Sequence, residues 1–298
     1  MKKKILAIAM TALMVVGVAA CGSSSSSSTT DSNSTDTTAD GMTGQISVIS
    51  REEGSGTRGA FVELMGIVDD SDNDITTIDA EITNSTSVML TTVAGNKQSI
   101  GYVSLGSLSD DVKAVKVDGV EASVDDIKNG SYSVSRPFLV AYKDGQLSEL
   151  AQDYLKYILS ADGQAIISEN GYISVSDSAE AYTASGLSGK LVLAGSTSVS
   201  PVMEKLADAY KALNPDVTIE IQQTGSGAGI TSAIEGVCDF GMSSRELKES
   251  EAAELKSEQI ALDGIAVIVN NENPTDDISS EKIKIIYLGE VTNWEDVK

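Results

Sequence analysis

Hydrophobic residues along the chain follow two alternating spacings, which predict strands and helices in turn. Short apolar runs rich in Val and Ile predict strands at 46–50, 99–104, 113–117, 138–142, 190–194, 217–222, 239–242 and 265–270. Apolar residues three and four positions apart predict amphipathic helices at 147–159, 199–213, 230–234, 246–255 and 281–287. This alternation predicts an α/β fold in which helices cover both faces of the sheets.

Gly, Ser and Thr cluster at three points where a predicted strand passes into a predicted helix. The fullest example, at 50–61, carries Arg51 and a Gly-Ser-Gly-Thr turn, and similar segments lie at 194–201 and 223–230. The first N–H groups of a helix lack intrahelical partners and lie at the positive end of its dipole, so they bind anions. Because helix starts converge beyond the carboxyl ends of strands in such folds, the three segments predict one oxyanion site.

The first 43 residues predict a secreted, membrane-anchored protein. Three lysines precede an apolar run at 5–20, which predicts a signal peptide over residues 1–20. The Val-Ala-Ala-Cys end of this run resembles a bacterial lipobox, which implies acylation of Cys21 and anchoring at the extracytoplasmic face of the cell membrane. An ordinary signal peptide and a membrane-spanning helix are the alternatives. Residues 21–43 are rich in Ser and Thr and predict a disordered tether.

Composition excludes several classes of function. The chain carries 21 Lys and Arg against 44 Asp and Glu, a net charge of −23, so we expect no nucleic-acid partner. The sequence contains no His, which excludes Ser-His-Asp and Cys-His catalysis and removes the commonest zinc ligand. With Cys21 assigned to lipid, Cys238 stands alone and no disulfide is expected. We therefore predict no catalytic residue, no metal and no cofactor.

Two stretches of the chain carry motifs of one known family. Residues 190–297 resemble the first half of the phosphate-specific substrate-binding proteins of bacterial ABC importers, through Gly-Ser-Thr-Ser at 195–198, Gly-Ser-Gly-Ala-Gly at 225–229, Asp-Phe-Gly-Met-Ser-Ser-Arg at 239–245 and Gly-Glu-Val-Thr-Asn-Trp at 289–294. Residues 44 to about 182 resemble the second half, through Arg-Glu-Glu-Gly-Ser-Gly-Thr at 51–57, Ile-Gly-Tyr at 100–102 and Arg-Pro-Phe at 136–138.

The order of these halves is reversed relative to the family. One account is a circular permutation, in which residues 185–189 join the family's usual ends and new termini lie near Met42 and Lys298. This account is physically tolerable because chain ends often lie close together. The other account is a truncated tandem array. Either way, the chain contains one complete set of the family's site motifs.

The resemblance implies a two-lobed periplasmic-binding-protein-like clamp, with a mixed sheet flanked by helices in each lobe and two crossover strands. On this chain, lobe I is expected to be continuous over 137–263, and lobe II to be split between 44–136 and 264–298. The implied function is capture of inorganic phosphate between the lobes and delivery to the transmembrane subunits of an ABC importer, by a monomer. Ligand would favour the closed state by its higher affinity for it.

The resemblance also implies the binding residues. The phosphate ligands are expected to be Thr197, Ser198, Ser226, Ser244, Arg51, Ser55, Gly56 and Thr57, with Glu53 orienting Arg51 from behind. A structural alternative exists for several of them: the hydroxyls at 197–198 would merely cap a helix, Ser226 would serve a turn, and Arg51 would form a surface ion pair with Glu52 or Glu53.

One position departs from the family pattern. Many members carry an Asp where this chain has Ser244, and a carboxylate there accepts the proton of hydrogen phosphate and repels sulfate. Glu53 is an alternative acceptor, whereas Arg245 next to Ser244 is expected to begin a helix. Three further hypotheses therefore remain beside the phosphate receptor: a receptor for sulfate or molybdate, a phosphatase-type enzyme, and a surface lipoprotein with a relict site.

Overall fold

The computed structural model describes residues 42–297, so the predictions for the signal peptide, for Cys21 and for most of the tether lie outside the described residues. The strands are β1 (Ser47–Arg51), β2 (Glu81–Thr83), β3 (Ser99–Ser104), β4 (Val112–Ala114), β5 (Lys116–Val117), β6 (Ser135–Tyr142), β7 (Ile173–Ser174), β8 (Gly189–Gly195), β9 (Val217–Gln223), β10 (Phe240–Ser243), β11 (Lys256–Asn270) and β12 (Asp277–Ile278). The α-helices are α1 (Gly56–Leu64), α2 (Thr86–Gly95), α3 (Val124–Lys128), α4 (Glu149–Ile158), α5 (Ala161–Glu169), α6 (Ser200–Leu213), α7 (Ser226–Glu235), α8 (Glu249–Ala252) and α9 (Ser280–Tyr287).

Serine side chains decide where many of these helices begin. In six of them the residue before the first turn is a serine whose Oγ accepts a backbone N–H of that turn: Ser55, Ser85, Ser123, Ser148, Ser160 and Ser279. Such a cap satisfies one of the N–H groups that have no partner inside the helix. Helix α6 instead carries Pro201 in its first turn, where no donor is lost.

Several predicted elements differ from the structure, and β11 begins at Lys256, well before the strand predicted at 265–270. The strand predicted at 113–117 is divided, because β4 pairs with β11 whereas β5 pairs with β12. The helix predicted at 246–255 shrinks to the single turn of α8, because the chain enters the long strand β11 at Lys256. Neighbouring strands, rather than local spacing, set these boundaries.

One sheet runs through the described part of the chain in the order β2-β1-β3-β11-β6-β10-β8-β9. Its outer strands pair in parallel, β1 with β2 and β3, and β8 with β9 and β10. The central strands β6 and β11 are antiparallel and cross between the two parallel groups. Strand β11 changes partner where Gly264 lies opposite Ser135 and Ile265 lies opposite Ser104. These two strands are the crossover connections that the sequence predicted.

Apolar side chains form a core on each side of this crossing. In the first core, Phe61 stacks on Tyr102 at 4.0 Å between ring centroids, and Tyr287 packs against both rings. In the second core, Tyr154 of α4 and Tyr210 of α6 pack edge to face, with 5.0 Å between their ring centroids. Both clusters are buried, and the removal of their apolar surface from water supplies most of the stabilisation around each core.

The segment that joins the two family halves is held by one carboxylate. Asp153 on α4 accepts hydrogen bonds from Tyr182 at 2.5 Å, from Tyr210 at 2.7 Å and from Ser185 at 2.8 Å. Burial raises the pKa of Asp153, but the three hydroxyl donors outweigh it and hold the pKa below its ordinary value. The described ends of the chain also meet, since the N–H of Trp294 donates to the Gly44 carbonyl at 2.9 Å.

Among residues 42–297, no helix has both the length and the apolar character needed to cross a membrane.

Candidate functional site

The candidate site begins where β1 ends and α1 starts. Ser55 caps α1, and its Oγ accepts the N–H of Arg58 at 3.3 Å. Gly56 and Thr57 form the first turn and are buried. The hydroxyl of Tyr102 bonds Ser50 at 2.9 Å and accepts the Arg51 N–H at 3.2 Å, which fixes the end of β1. Burial raises the pKa of Tyr102 to about 12, so this phenol remains a neutral hydrogen-bonding group.

The Arg51 side chain is a buried cation that extends from the end of β1 to Thr197. Only 2 % of the residue is exposed. Its Nη2 donates to the Thr197 hydroxyl at 3.0 Å, and its Nε and Nη2 donate to the two carboxylate oxygens of Glu52 at 2.7 and 2.8 Å. The fork-on-fork pairing with Glu52 holds the guanidinium plane in one orientation. The prediction that Glu53 orients Arg51 is therefore wrong, because the turn after β1 leaves the Glu53 side chain exposed.

A cluster of hydroxyls lies next to Arg51. Thr57 and Ser198 share a hydrogen bond of 2.8 Å, although they belong to helix starts on opposite sides of the crossing strands. Thr86, the first residue of α2, lies 3.2 Å from both the Thr197 and the Ser198 hydroxyl oxygens. Thr86 was not predicted. The Ser-Thr-Ser sequence at 85–87, a helix start of the same composition as the others, is the signal that identifies it.

The capping alternative does not apply to the serines and threonine of the second half. Neither Thr197 nor Ser198 caps α6, whose cap residue is Val199 and makes no side-chain cap bond. Ser226 does not cap α7 either, because the cap residue is Gly225; the Ser226 Oγ instead accepts the N–H of Ser244, which follows β10, at 3.2 Å. The hydroxyls of this group are instead directed at one another and at the start of α1.

Close glycine packing brings the two sides of the site together. A Cβ placed on Gly56 would lie 2.4 Å from the Ser226 Oγ and 2.6 Å from the Ser244 Oγ. Nearby, the Gly227 N–H donates to the Gly54 carbonyl at 3.0 Å. Side chains larger than hydrogen at Gly56 would hold the two helix starts apart. The structure is therefore a closed arrangement in which both cores contribute to one buried polar cluster.

The charged residues at the rim are paired with one another. Arg58 donates to Asp74 at 2.6 Å and to the Arg51 carbonyl at 2.7 Å. Arg245 forms a two-bond ion pair with Glu251 at 2.8 Å. Arg245 thus anchors the turn before α8 and is not a second cation aimed into the cluster.

A second buried ion pair lies on the crossover strands. Arg136 on β6 donates to Asp263 on β11 at 3.0 Å, and Asp263 also accepts from Ser104 at 2.9 Å. Burial lowers the pKa of Arg136 and raises the pKa of Asp263, and each charge opposes the shift of the other. The pair therefore joins the two crossover strands, which must bend if the two cores move relative to each other.

The structure brings the predicted binding residues into one place. The buried cluster is lined by Arg51, Gly56, Thr57, Thr197, Ser198, Ser226 and Ser244, and Ser55 caps its central helix. Thr86 and Ser196 join them without having been predicted, whereas Glu52 is the ion-pair partner named in the structural alternative for Arg51. Hydroxyls, helix N–H groups and one guanidinium suit a small oxyanion. No group of three or more His, Cys, Asp or Glu side chains within 42–297 is arranged to hold a metal ion.

Comparisons with known proteins agree with this geometry. A profile of the PBP superfamily domain matches residues 16–162 and 179–298. The chain is 49% identical over 302 residues to phosphate-binding protein PstS 2 of Streptococcus agalactiae serotype V, covering 99% of both chains. It is 45% identical over 299 residues to phosphate-binding protein PstS 2 of Streptococcus pneumoniae serotype 4, again covering 99% of both.

A solved structure extends the likeness to three dimensions. The crystal structure of a phosphate-binding protein of a phosphate ABC transporter from Streptococcus pneumoniae TIGR4 superposes with a TM-score of 0.70 at 48% identity, covering 86% of this chain and all of that one. The predicted two-lobed fold is confirmed. The order of motifs along this chain is shared with the full-length relatives, because those alignments run through both chains from end to end.

Proposed function

This chain belongs to the PBP superfamily and, within it, to the phosphate-binding proteins, and from that premise we propose that it captures inorganic phosphate between its two lobes for an ABC importer. The observation that carries the proposal is the buried Arg51, whose guanidinium reaches Thr197 from the opposite lobe. An uncompensated oxyanion in a buried place needs such a cation and several oriented donors.

Each of the eight predicted binding residues has a role in this proposal. Arg51 supplies the full positive charge, while the hydroxyls of Thr57, Thr197 and Ser198 and the first N–H groups of α1 supply neutral donors. Gly56 contributes its backbone N–H, and its missing side chain allows close approach. Ser226 and Ser244 complete the donor set, and Ser55 holds the turn in place.

The lobes are proposed to divide as the sequence suggested, with residues 137–263 forming lobe I around the second core and 44–136 with 264–298 forming lobe II around the first. On this division, the hydrogen bonds Thr57–Ser198 and Gly227–Gly54 join residues of different lobes in the closed arrangement. Phosphate would stabilise this arrangement by binding it more tightly than the open one. Circular permutation is our account of the motif order.

We further propose that the protein acts outside the cytoplasm, held to the membrane by a lipid on Cys21, as a monomer that docks on permease subunits. The apolar run at 5–20 followed by Cys21 supports this localisation. No enzymatic step is proposed, because the site offers hydroxyls and an arginine but no histidine base, and the full-length relatives are named as binding proteins.

Titration calorimetry of the ligand-stripped protein with phosphate tests the function. We expect one-to-one binding that is weakened strongly in Arg51→Ala and less in Arg51→Lys, which keeps the charge but not the planar fork. Absence of binding to both phosphate and sulfate in the unaltered protein would refute an oxyanion receptor. Metal-dependent turnover of a phosphomonoester would favour the enzyme instead.

One observation favours the second candidate, a receptor for sulfate or molybdate. Ser244 presents a hydroxyl where the family often presents a carboxylate, and it is fully buried beside Ser226. A hydroxyl does not repel a fully ionised anion. Binding of sulfate as tight as that of phosphate would establish the broader receptor.

A further inference from the structure

Ser196 controls the direction of a hydrogen-bond chain at the edge of the site. This residue follows β8 and is buried, and its Oγ accepts the N–H of Ser198 at 3.2 Å and of Val199 at 3.3 Å. A hydroxyl has two lone pairs and one proton, so both acceptor positions are used. The proton of Ser196 therefore points to the Ser244 Oγ, which lies 2.9 Å away.

The Ser244 hydroxyl is consequently left with its own proton to donate. The Ser226 Oγ accepts the Ser244 N–H at 3.2 Å, so its own proton is directed to the Ser244 Oγ, 3.4 Å away, and the protons of Ser196 and Ser226 occupy both lone pairs of Ser244. The Ser244 proton is then directed at neither serine and is available to a ligand oxygen at the usual ~2.7 Å. Both serine oxygens face the start of α1, since each lies within 2.6 Å of a Cβ placed on Gly56.

We infer that Ser196 fixes the Ser244 hydroxyl as a hydrogen-bond donor toward the bound anion, so that position 244 selects an unprotonated oxygen. The inference rests on the proposed function and assigns to Ser196 the role of a positioning residue for anion selectivity. Sulfate, which carries no proton, meets this donor as well as phosphate does. The proton of hydrogen phosphate must be accepted elsewhere, and position 244 does not reject sulfate.

The test is the ratio of phosphate to sulfate affinity, measured by calorimetry on the full chain at a pH above the second ionisation of phosphate. In Ser196→Ala the Ser244 oxygen regains a free lone pair and can accept the proton of hydrogen phosphate. We expect the ratio to rise about fivefold, the equivalent of one neutral hydrogen bond. A purely structural role for Ser196 would lower both affinities by the same factor and leave the ratio unchanged.

Ser200→Ala is the matched control. Ser200 is buried at the same helix start, and its Oγ donates to the Ser196 carbonyl at 2.9 Å without touching Ser244. Its removal should leave the affinity ratio within about twofold of the unaltered protein. A ratio in Ser196→Ala that matches the Ser200→Ala ratio overturns the inference.

Ser244→Ala supplies a second test that does not require Ser196→Ala to fold. If Ser244 donates to both anions, its removal weakens both equally and leaves the ratio within about twofold. A fall in the ratio would mean that Ser244 accepts the phosphate proton, which overturns the inference. In the double variant Ser196→Ala/Ser244→Ala, the gain expected from the single change should disappear. Loss of phosphate binding in the unaltered protein would instead refute the proposed function.

Discussion

Replacing Gly56 by Ala tests whether the closed arrangement is the one that binds the anion. The added Cβ would lie 2.4 Å from the Ser226 Oγ, 2.6 Å from the Ser244 Oγ and 3.0 Å from the Ser226 Cβ. Real Cβ atoms do not approach other atoms so closely, and both serines are fully buried. The clash must therefore be relieved by moving the helix starts apart.

The magnitude follows from the cost of overpacking. One extra methyl in a close-packed place costs about 1–3 kcal/mol, which corresponds to a loss of phosphate affinity of roughly 5- to 150-fold. Alanine retains the backbone N–H, so the loss reports closure and not a missing donor. In an open state that separates the helix starts the clash would be absent, so we expect Gly56→Ala not to make unfolding without phosphate easier.

Calorimetry with phosphate and a thermal melt without it measure the two effects separately. Gly59→Ala is the matched control, because Gly59 lies one turn later in α1 and its added Cβ would meet only the Arg245 Cδ, at 3.4 Å. That variant should retain phosphate affinity. Equal affinities for Gly56→Ala and the unaltered protein would refute the reasoning, since the two serines would then have moved at no cost.

Three further changes have expected outcomes. Arg51→Ala should weaken phosphate binding about 10-fold or more in calorimetry, because charge-assisted hydrogen bonds are stronger than neutral ones. An equal loss of affinity in the surface variant Lys113→Ala would contradict a binding role for Arg51. Asp153→Asn should lower the melting temperature at neutral pH. Because the folded pKa of Asp153 lies below its ordinary value of 3.8, its stabilisation is present above that value and is lost as the pH falls through the folded pKa. The difference from the unaltered protein should therefore shrink in melts taken below about pH 4, and a constant difference would exclude the carboxylate charge as its cause. Asp263→Asn leaves Arg136 as an unpaired buried charge and should destabilise the fold by about 3–5 kcal/mol in denaturant titrations, whereas an apolar replacement of both residues should recover most of that loss.

Local sequence was sufficient to predict an element wherever its apolar residues were regularly spaced or its turn was rich in glycine. The strand-turn-helix from 46 to 65 and the Pro201 start of α6 were both predictable, because apolar spacing and turn chemistry act over a few residues. Helix α2 was missed since its Thr and Val residues have weak helix propensity, and Met89 and Val93 fix it by packing on the first core.

The sequence by itself determined the α/β alternation, the helix starts that we propose bind the anion and, through Arg51 and its glycine-rich turn, the chemical class of the ligand. Only the tertiary structure decided which neighbour orients that arginine, Glu52 and not Glu53, and which distant hydroxyls, those of Thr86 and Ser196, join the cluster. The reason is physical: spacing along a chain fixes which residues share a face, whereas contacts between lobes depend on backbone direction at turns and on closure. The spacing of apolar residues along the sequence specifies neither the backbone direction at turns nor the closure of the lobes.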